Sequence, residues 1–100
     1  MTRGSTPTHI FNFPIATSLI KQIKITYAQG DKVVLTKAKA DCAMEDNKAI
    51  LKLTQQETLG FDHTLLVEIQ VKALTVNGDV LISKIENKEV DRVLDEEVLQ

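Results

Sequence analysis

The chain has one cysteine, Cys42, so no internal disulfide can brace it and the fold rests on its core alone. It has no tryptophan, one tyrosine and three phenylalanines, too few for the exposed aromatic platform that sugar-binding modules usually offer. A basic excess is missing too: twelve Lys and Arg face fourteen Asp and Glu, for a net charge of −2. Nucleic-acid and anionic-membrane binders need a basic surface, so both classes are disfavoured. No apolar run approaches the ~20 residues of a membrane span, and the opening Met1 to Pro7 lacks the apolar core of a signal peptide.

What remains is an ordinary globular composition, 43% hydrophobic and 26% charged over 100 residues, which is one domain's worth of chain. Nine Val, nine Ile and ten Thr favour pleated, half-buried surfaces over helices. Phe11, Phe13 and Ile15 fall on one face of a first strand, and Pro14, which cannot donate to a ladder, marks an edge strand or a strand end. Ile23, Ile25 and Tyr27 alternate with Lys24 and Thr26 in a second strand. Gln29-Gly30-Asp31 is a turn signal, and Lys32 to Lys37 returns as a third strand. Asp41 to Met44 forms a short edge strand, Glu45 to Lys48 a turn, and Ala49 to Leu53 a strand with Leu51 and Leu53 toward the core.

Thr54-Gln55-Gln56-Glu57 matches the S/T-x-x-E capping box, and Gly60 stands where a helix stop belongs. The spacing predicts one helical turn near residues 55–59 that bridges two sheets, with Leu59 and Phe61 pinned into the core. Leu65 to Leu74 is the strongest strand, with Leu65, Val67, Ile69 and Val71 as its core face. Asn77-Gly78 then signals a type I′ hairpin, because both central residues of that turn need positive φ. Val80 to Ile85 returns, and the early tail extends the last strand toward Val90. Val93, Leu94, Val98 and Leu99 are spaced as one face of a helical turn or two, and strand, helix and irregular coil all remain open for this end.

About seven short strands with turn signals between them define an all-β fold, an immunoglobulin-like antiparallel β-sandwich. One domain covers residues 1–100, with a polar arm at 2–7, a core from Thr8 to about Val90 and an acidic end at 91–100. The first fifty residues carry seven basic and four acidic side chains and the last fifty carry five and ten, a polarity that favours head-to-tail contacts if the surfaces are used at all.

Catalytic chemistry finds little support. Cys42, His9 and His63 are the candidates for a nucleophile and base, yet no local signature joins them, and Cys42 suits a small packed side chain. The soft ligands are scattered, without the close pairs of zinc sites, and the acids concentrate in turns and the tail instead of facing across a cleft. The four glycines are isolated turn residues, with no phosphate-cradling loop. No catalytic, cofactor-binding or metal-binding residue is therefore assigned. The candidate interaction element is the N-terminal arm, Arg3, Gly4, Ser5, Thr6 and Pro7. It is either frayed or added along a sheet edge, its own or a neighbour's. Its deletion is expected to leave the isolated fold intact.

A resemblance extends over nearly the whole chain. Thr2-Arg3-Gly4-Ser5-Thr6-Pro7-Thr8-His9, Ile25-Thr26-Tyr27-Ala28-Gln29, Leu53-Thr54-Gln55-Gln56-Glu57-Thr58, Glu68 to Leu74 with Asn77-Gly78-Asp79, and the close Arg92 to Leu99 carry it. Together they resemble short tail-region proteins of phages and prophages of Gram-positive bacteria, similar in pattern to the N-terminal β-sandwich domain of phage baseplate upper proteins. The resemblance implies a non-enzymatic structural or adaptor protein of the tail or baseplate. Such a protein would contact copies of itself or other tail proteins, in the virion or in the host cytoplasm during assembly. It carries over no catalytic residue, and no cofactor, nucleic acid or membrane partner is assigned. A small ligand- or carbohydrate-binding module used in host attachment is the alternative.

The capping box is testable by itself. Thr54→Ala is expected to cost about 0.5–2 kcal/mol, and the Thr54→Ala/Glu57→Ala double variant less than the two single costs added, since both side chains serve one turn. Strict additivity in urea unfolding contradicts a shared cap.

Overall fold

The structure, a computed structural model, describes residues 1–100 as two antiparallel sheets packed face to face. The smaller sheet has the order β1-β5-β4, from β1 (Thr8–Asn12), β4 (Ala43–Glu45) and β5 (Lys48–Lys52). The larger has β3 (Lys32–Ala38), β2 (Ile20–Gln29), β6 (Val67–Thr75) and β7 (Val80–Ile82) in the order β3-β2-β6-β7, and β8 (Glu86–Lys88) also pairs with β6. The expected all-β sandwich is present, with eight strands where about seven were read. An immunoglobulin constant domain places its second strand in the first sheet, beside the fifth. Here β2 lies between β3 and β6 in the larger sheet, so the likeness to immunoglobulins is one of architecture, not strand order.

The alternation read from the sequence decides which side chains meet. Ile23, Ile25 and Tyr27 of β2 and Val67, Ile69, Val71 and Ala73 of β6 are buried on one side of the larger sheet. They pack against Ala49 and Leu51 of β5, with Leu53, Phe13, Phe61 and Val90 completing the core. Three readings are corrected. Leu65 stays 44% exposed because β6 begins only at Val67. The first strand ends at Asn12, so Phe13 enters the core from just beyond it and Ile15 lies outside the strand, while β1 is an edge strand that stops just before Pro14, as read. The two turns exchange character: Gly30 and Asp31 both have positive φ in a two-residue loop, the type I′ arrangement, whereas at Asn77-Gly78 only the glycine does. In that second turn the Thr75 N–H donates to the Asp79 carbonyl at 2.8 Å, and the Asp79 N–H donates to the Thr75 hydroxyl, in a longer loop.

Three short helical pieces carry the chain between sheets: 3-10 turns at Thr17–Leu19 and Lys39–Asp41, and α1 (Gln55–Leu59). The capping box of α1 is formed as read. The Glu57 N–H donates to the Thr54 hydroxyl at 3.1 Å, and the Thr54 N–H donates to the Glu57 carboxylate at 2.8 Å. Lys37 of β3 also pairs with Glu57. Burial alone would raise the Glu57 carboxyl, but the hydrogen bonds and charge of Lys37 and the Thr54 donors outweigh it and hold the group below its ordinary value. Phe61 is buried, while Leu59 is only half-buried beneath the N-terminal arm, with Gly4 packed against it.

That arm is not a free leader. Thr2 and Asp91 form a parallel bridge; the Asp91 N–H donates to the Met1 carbonyl at 2.8 Å, and the Arg3 N–H to the Asp91 carbonyl at 3.0 Å. The Arg3 guanidinium donates to the Leu59 carbonyl and pairs with Glu96, and the Thr58 hydroxyl donates to the Ser5 carbonyl. Of the candidate arm residues, Arg3, Gly4, Ser5 and Pro7 are half-buried and only Thr6 is exposed. The last residues form neither strand nor helix: Asp91 makes the bridge, and the remainder is irregular. The expected tolerance to deletion is corrected accordingly. Removing residues 2–7 takes away the Thr2–Asp91 bridge, the Arg3 contacts with Leu59 and Glu96 and the Ser5 carbonyl that accepts from the Thr58 hydroxyl at 2.8 Å, and each such hydrogen bond is worth about 0.5–1.5 kcal/mol. A lowered urea midpoint for the truncated chain is the expected result; an unchanged one returns the arm to a loose leader.

Candidate functional site

Both sheets are open, with unpaired edges at β1 and β4 and at β3 and β7/β8, and the β1 and β7 edges face one another across one side of the sandwich. β1 pairs only with β5, and β7 and β8 pair only with β6. The phase of each ladder follows from its end bonds. Leu53 N–H to Pro7 O and Phe13 N–H to Asn47 O put residues 7, 9, 11 and 13 in hydrogen-bonded pairs with β5 and its ends. Alternate residues of an antiparallel ladder point the other way, so the N–H and C=O of Thr8, Ile10 and Asn12 face outward. In the same way, Thr75 N–H to Asp79 O and Ser83 N–H to Val71 O leave the backbone groups of Val80 and Ile82 facing outward from β7.

Between these edges lies an open groove of about 790 Å³. Phe11 and Phe13 line its β1 wall, Leu81 and Ile85 its β7 wall, and Ile69 and Val71 its floor. The groove opens because the β6 partner strand is broken. The Ser83 hydroxyl accepts from the Val71 N–H at 2.9 Å, where a backbone carbonyl would otherwise stand. The pairing register then shifts by one residue between Ser83 and Glu86, which throws Lys84 and Ile85 out of the ladder. Ile85 is 50% exposed there.

The β8 end is closed by polar groups. Glu86 and Lys88 stand opposite Ile69 and Val67, on the inward side of the edge, and form a 3.4 Å ion pair. Beside them His9 stacks on Tyr27, with ring centroids 5.7 Å apart, and its Nδ1 lies 2.7 Å from the Tyr27 hydroxyl. Burial, reinforced by the Glu57 and Glu86 carboxylates, pushes the Tyr27 hydroxyl well above the tyrosine range, so it stays protonated and donates to Nδ1. Burial and the Lys88 ammonium lower His9, with Glu86 acting against them, so the imidazole is neutral and carries its proton on Nε2.

The structure therefore gives His9 a tyrosine partner and not a nucleophile. Cys42 is half-buried and its thiol donates to the Ala38 carbonyl at 3.6 Å; burial and Asp41 push that thiol up. His63 is exposed in the loop before β6. No three His, Cys, Asp or Glu side chains come together to hold a metal ion, and no helix is long and apolar enough to cross a membrane. Phe13, Tyr27 and Phe61 are buried and Phe11 is half-buried. Sequence reasoning placed Phe11, Phe13 and the inward side of β6 in the core, where Phe13, Ile69 and Val71 do lie, but looked to the arm for a site and did not read the groove that the same side chains line. Ser83 and Ile85 carried no signal, since their role depends on a register shift that no local pattern encodes. No family model, curated protein or solved structure matches the chain.

The His9–Tyr27 bond has a pH signature. With its folded value lowered, His9 contributes stability fully above its ordinary value near 6.5, and that contribution is lost as pH falls from there through the folded value. His9→Phe leaves the Tyr27 hydroxyl without its acceptor, which costs about 1–3 kcal/mol at neutral pH. It should also remove this step from the urea midpoint plotted against pH. An acid limb identical to that of the wild type would assign the step to another group.

Proposed function

We propose that the chain is a non-enzymatic contact domain of a phage or prophage tail, and that its groove takes an extended segment of a neighbouring tail protein. The observation that carries this reading is the pair of unpartnered strand edges on either side of an apolar floor. An added strand would meet the free N–H and C=O groups of Val80 and Ile82 and set alternate apolar side chains between Phe11, Phe13, Leu81 and Ile85, as in β-augmentation. Surface area supports it as well. The chain exposes 6493 Å², about 800 Å² more than the ~5,700 Å² expected of a compact monomer of its mass. That excess is close to the ≈800 Å² one partner contributes to a standard interface. The tail context comes from the sequence resemblance alone, and the groove supplies the mode of contact.

Co-expression with the other proteins of a phage tail, followed by co-purification, tests the reading. Ile85→Lys changes a half-exposed side chain, so the fold should survive. Losing one apolar contact of ~1.5–3 kcal/mol should weaken capture by about ten- to a hundredfold. Capture unaffected by Ile85→Lys, or a chain that co-purifies with no tail protein, would count against it.

A further inference from the structure

The outer face of the larger sheet carries a second surface. Lys24 of β2 and Lys72 of β6 stand directly opposite each other in the ladder, and both are exposed. Like charges facing each other across a sheet are destabilising, and neither lysine has an acidic partner in the chain, whose ion pairs use Arg3, Lys37 and Lys88. Apolar groups flank the pair. Leu74 and Val80 pair beside it, and Ile82 pairs with Lys72 itself. Val80 is 56% exposed and Ile82 58%. A shallow depression of about 240 Å³ lies here, lined by Gln22, Lys24, Lys72, Leu74 and Val80. It combines two positive charges with an apolar rim.

The complement of this surface is the chain's own acidic end. Leu94 is 91% exposed and Leu99 73%, more than any other large hydrophobic residue. Between them lie Asp95, Glu96 and Glu97, of which only Glu96 has a cationic partner, Arg3. The segment is not loose. Arg3 holds it at Glu96, and the Gln55 side chain both donates to the Leu99 carbonyl at 2.8 Å and accepts from the Leu99 N–H at 2.9 Å. With its ends bonded to the arm and α1, the segment presents Leu94, Asp95 and Glu97 to solvent in a fixed geometry, and part of the ordering cost of binding is already met.

We propose that Leu94 to Glu97 of one copy docks on the Lys24/Lys72 face of a second copy, with the carboxylates on the lysines and Leu94 against Val80 and Ile82. Donor and acceptor are different surfaces, so the contact is head-to-tail and builds a ring or a filament, not a two-fold dimer. Because the charges are exposed, salt weakens it. It meets the outer side of β7, whose Val80 and Ile82 also border the groove, but the charge reversals at Lys24 and Lys72 leave the groove's own walls unchanged and so test this contact alone.

Sedimentation velocity on the full chain decides the matter, with two charge-reversed variants, Lys24→Glu/Lys72→Glu and Asp95→Lys/Glu97→Lys. All four positions are exposed, and thermal midpoints confirm that each variant folds. The wild type is expected to associate at low salt and dissociate at high salt, and either variant alone to associate about tenfold more weakly. An equimolar mixture of the two, in which each reversed surface meets its complement, is expected to restore association. A wild type that stays monomeric at low salt, association indifferent to the reversals, or a mixture that restores nothing each overturns the proposal. If the chain is monomeric but its Lys24/Lys72 face binds a synthetic peptide of residues 91–100, the occupant is an acidic segment of a different protein.

Discussion

The pairing of β6 on both of its edges is the constraint from which the rest of the structure follows. Its inward row, Val67, Ile69, Val71 and Ala73, is buried, and burying a Val or Ile side chain is worth roughly 1.5–3 kcal/mol. β6 must therefore keep its register with β2. On the other edge the chain has ten residues, Asp79 to Lys88, to cover nine, and it does so in two pieces, β7 and β8. The Ser83 hydroxyl takes the Val71 N–H at the join, so the break leaves that buried donor satisfied. The surplus backbone at Lys84 and Ile85 bulges outward, and the groove opens beneath it.

Edge strands invite unwanted pairing and are usually blunted. One end of this edge is treated that way: the inward-facing Glu86 and Lys88, with the neutral His9 beside them, place polar groups where an incoming strand would bury its side chains. The other end, from Val80 to Ile85, is apolar save for Ser83 and Lys84 and has no such guard. The asymmetry is what distinguishes a surface left open from one merely uncovered.

What the sequence discloses is what short-range physics determines. The period-two rows of β2 and β6, the Leu51 and Leu53 side of β5, and the Thr54/Glu57 cap depend on neighbours within a few residues, and all were legible. Leu65 was misplaced because an apolar residue just ahead of a strand continues its alternation on paper. Asn77-Gly78 was misjudged because the Thr75 side chain and the Asp79 carbonyl support a longer loop there. The buried Gln29, read only as part of a turn, clamps the loop ahead of β6, donating to the Asp62 and Leu65 carbonyls and accepting from the Asp62 N–H. The arm's attachment to residues 89–91 and the groove between β1 and β7 join positions some seventy to ninety residues apart. No pattern along the chain contains either.

The central claim is that two facing strand edges are unpaired in the free protein. Native-state amide hydrogen exchange tests it residue by residue. The N–H groups of Ile10, Asn12, Val80 and Ile82 should exchange far faster than their immediate neighbours Phe11 and Leu81, whose bonds run inward to β5 and β6. Protection of Ile10, Asn12, Val80 and Ile82 equal to that of Phe11 and Leu81 would mean the edges are already covered, and would contradict the account.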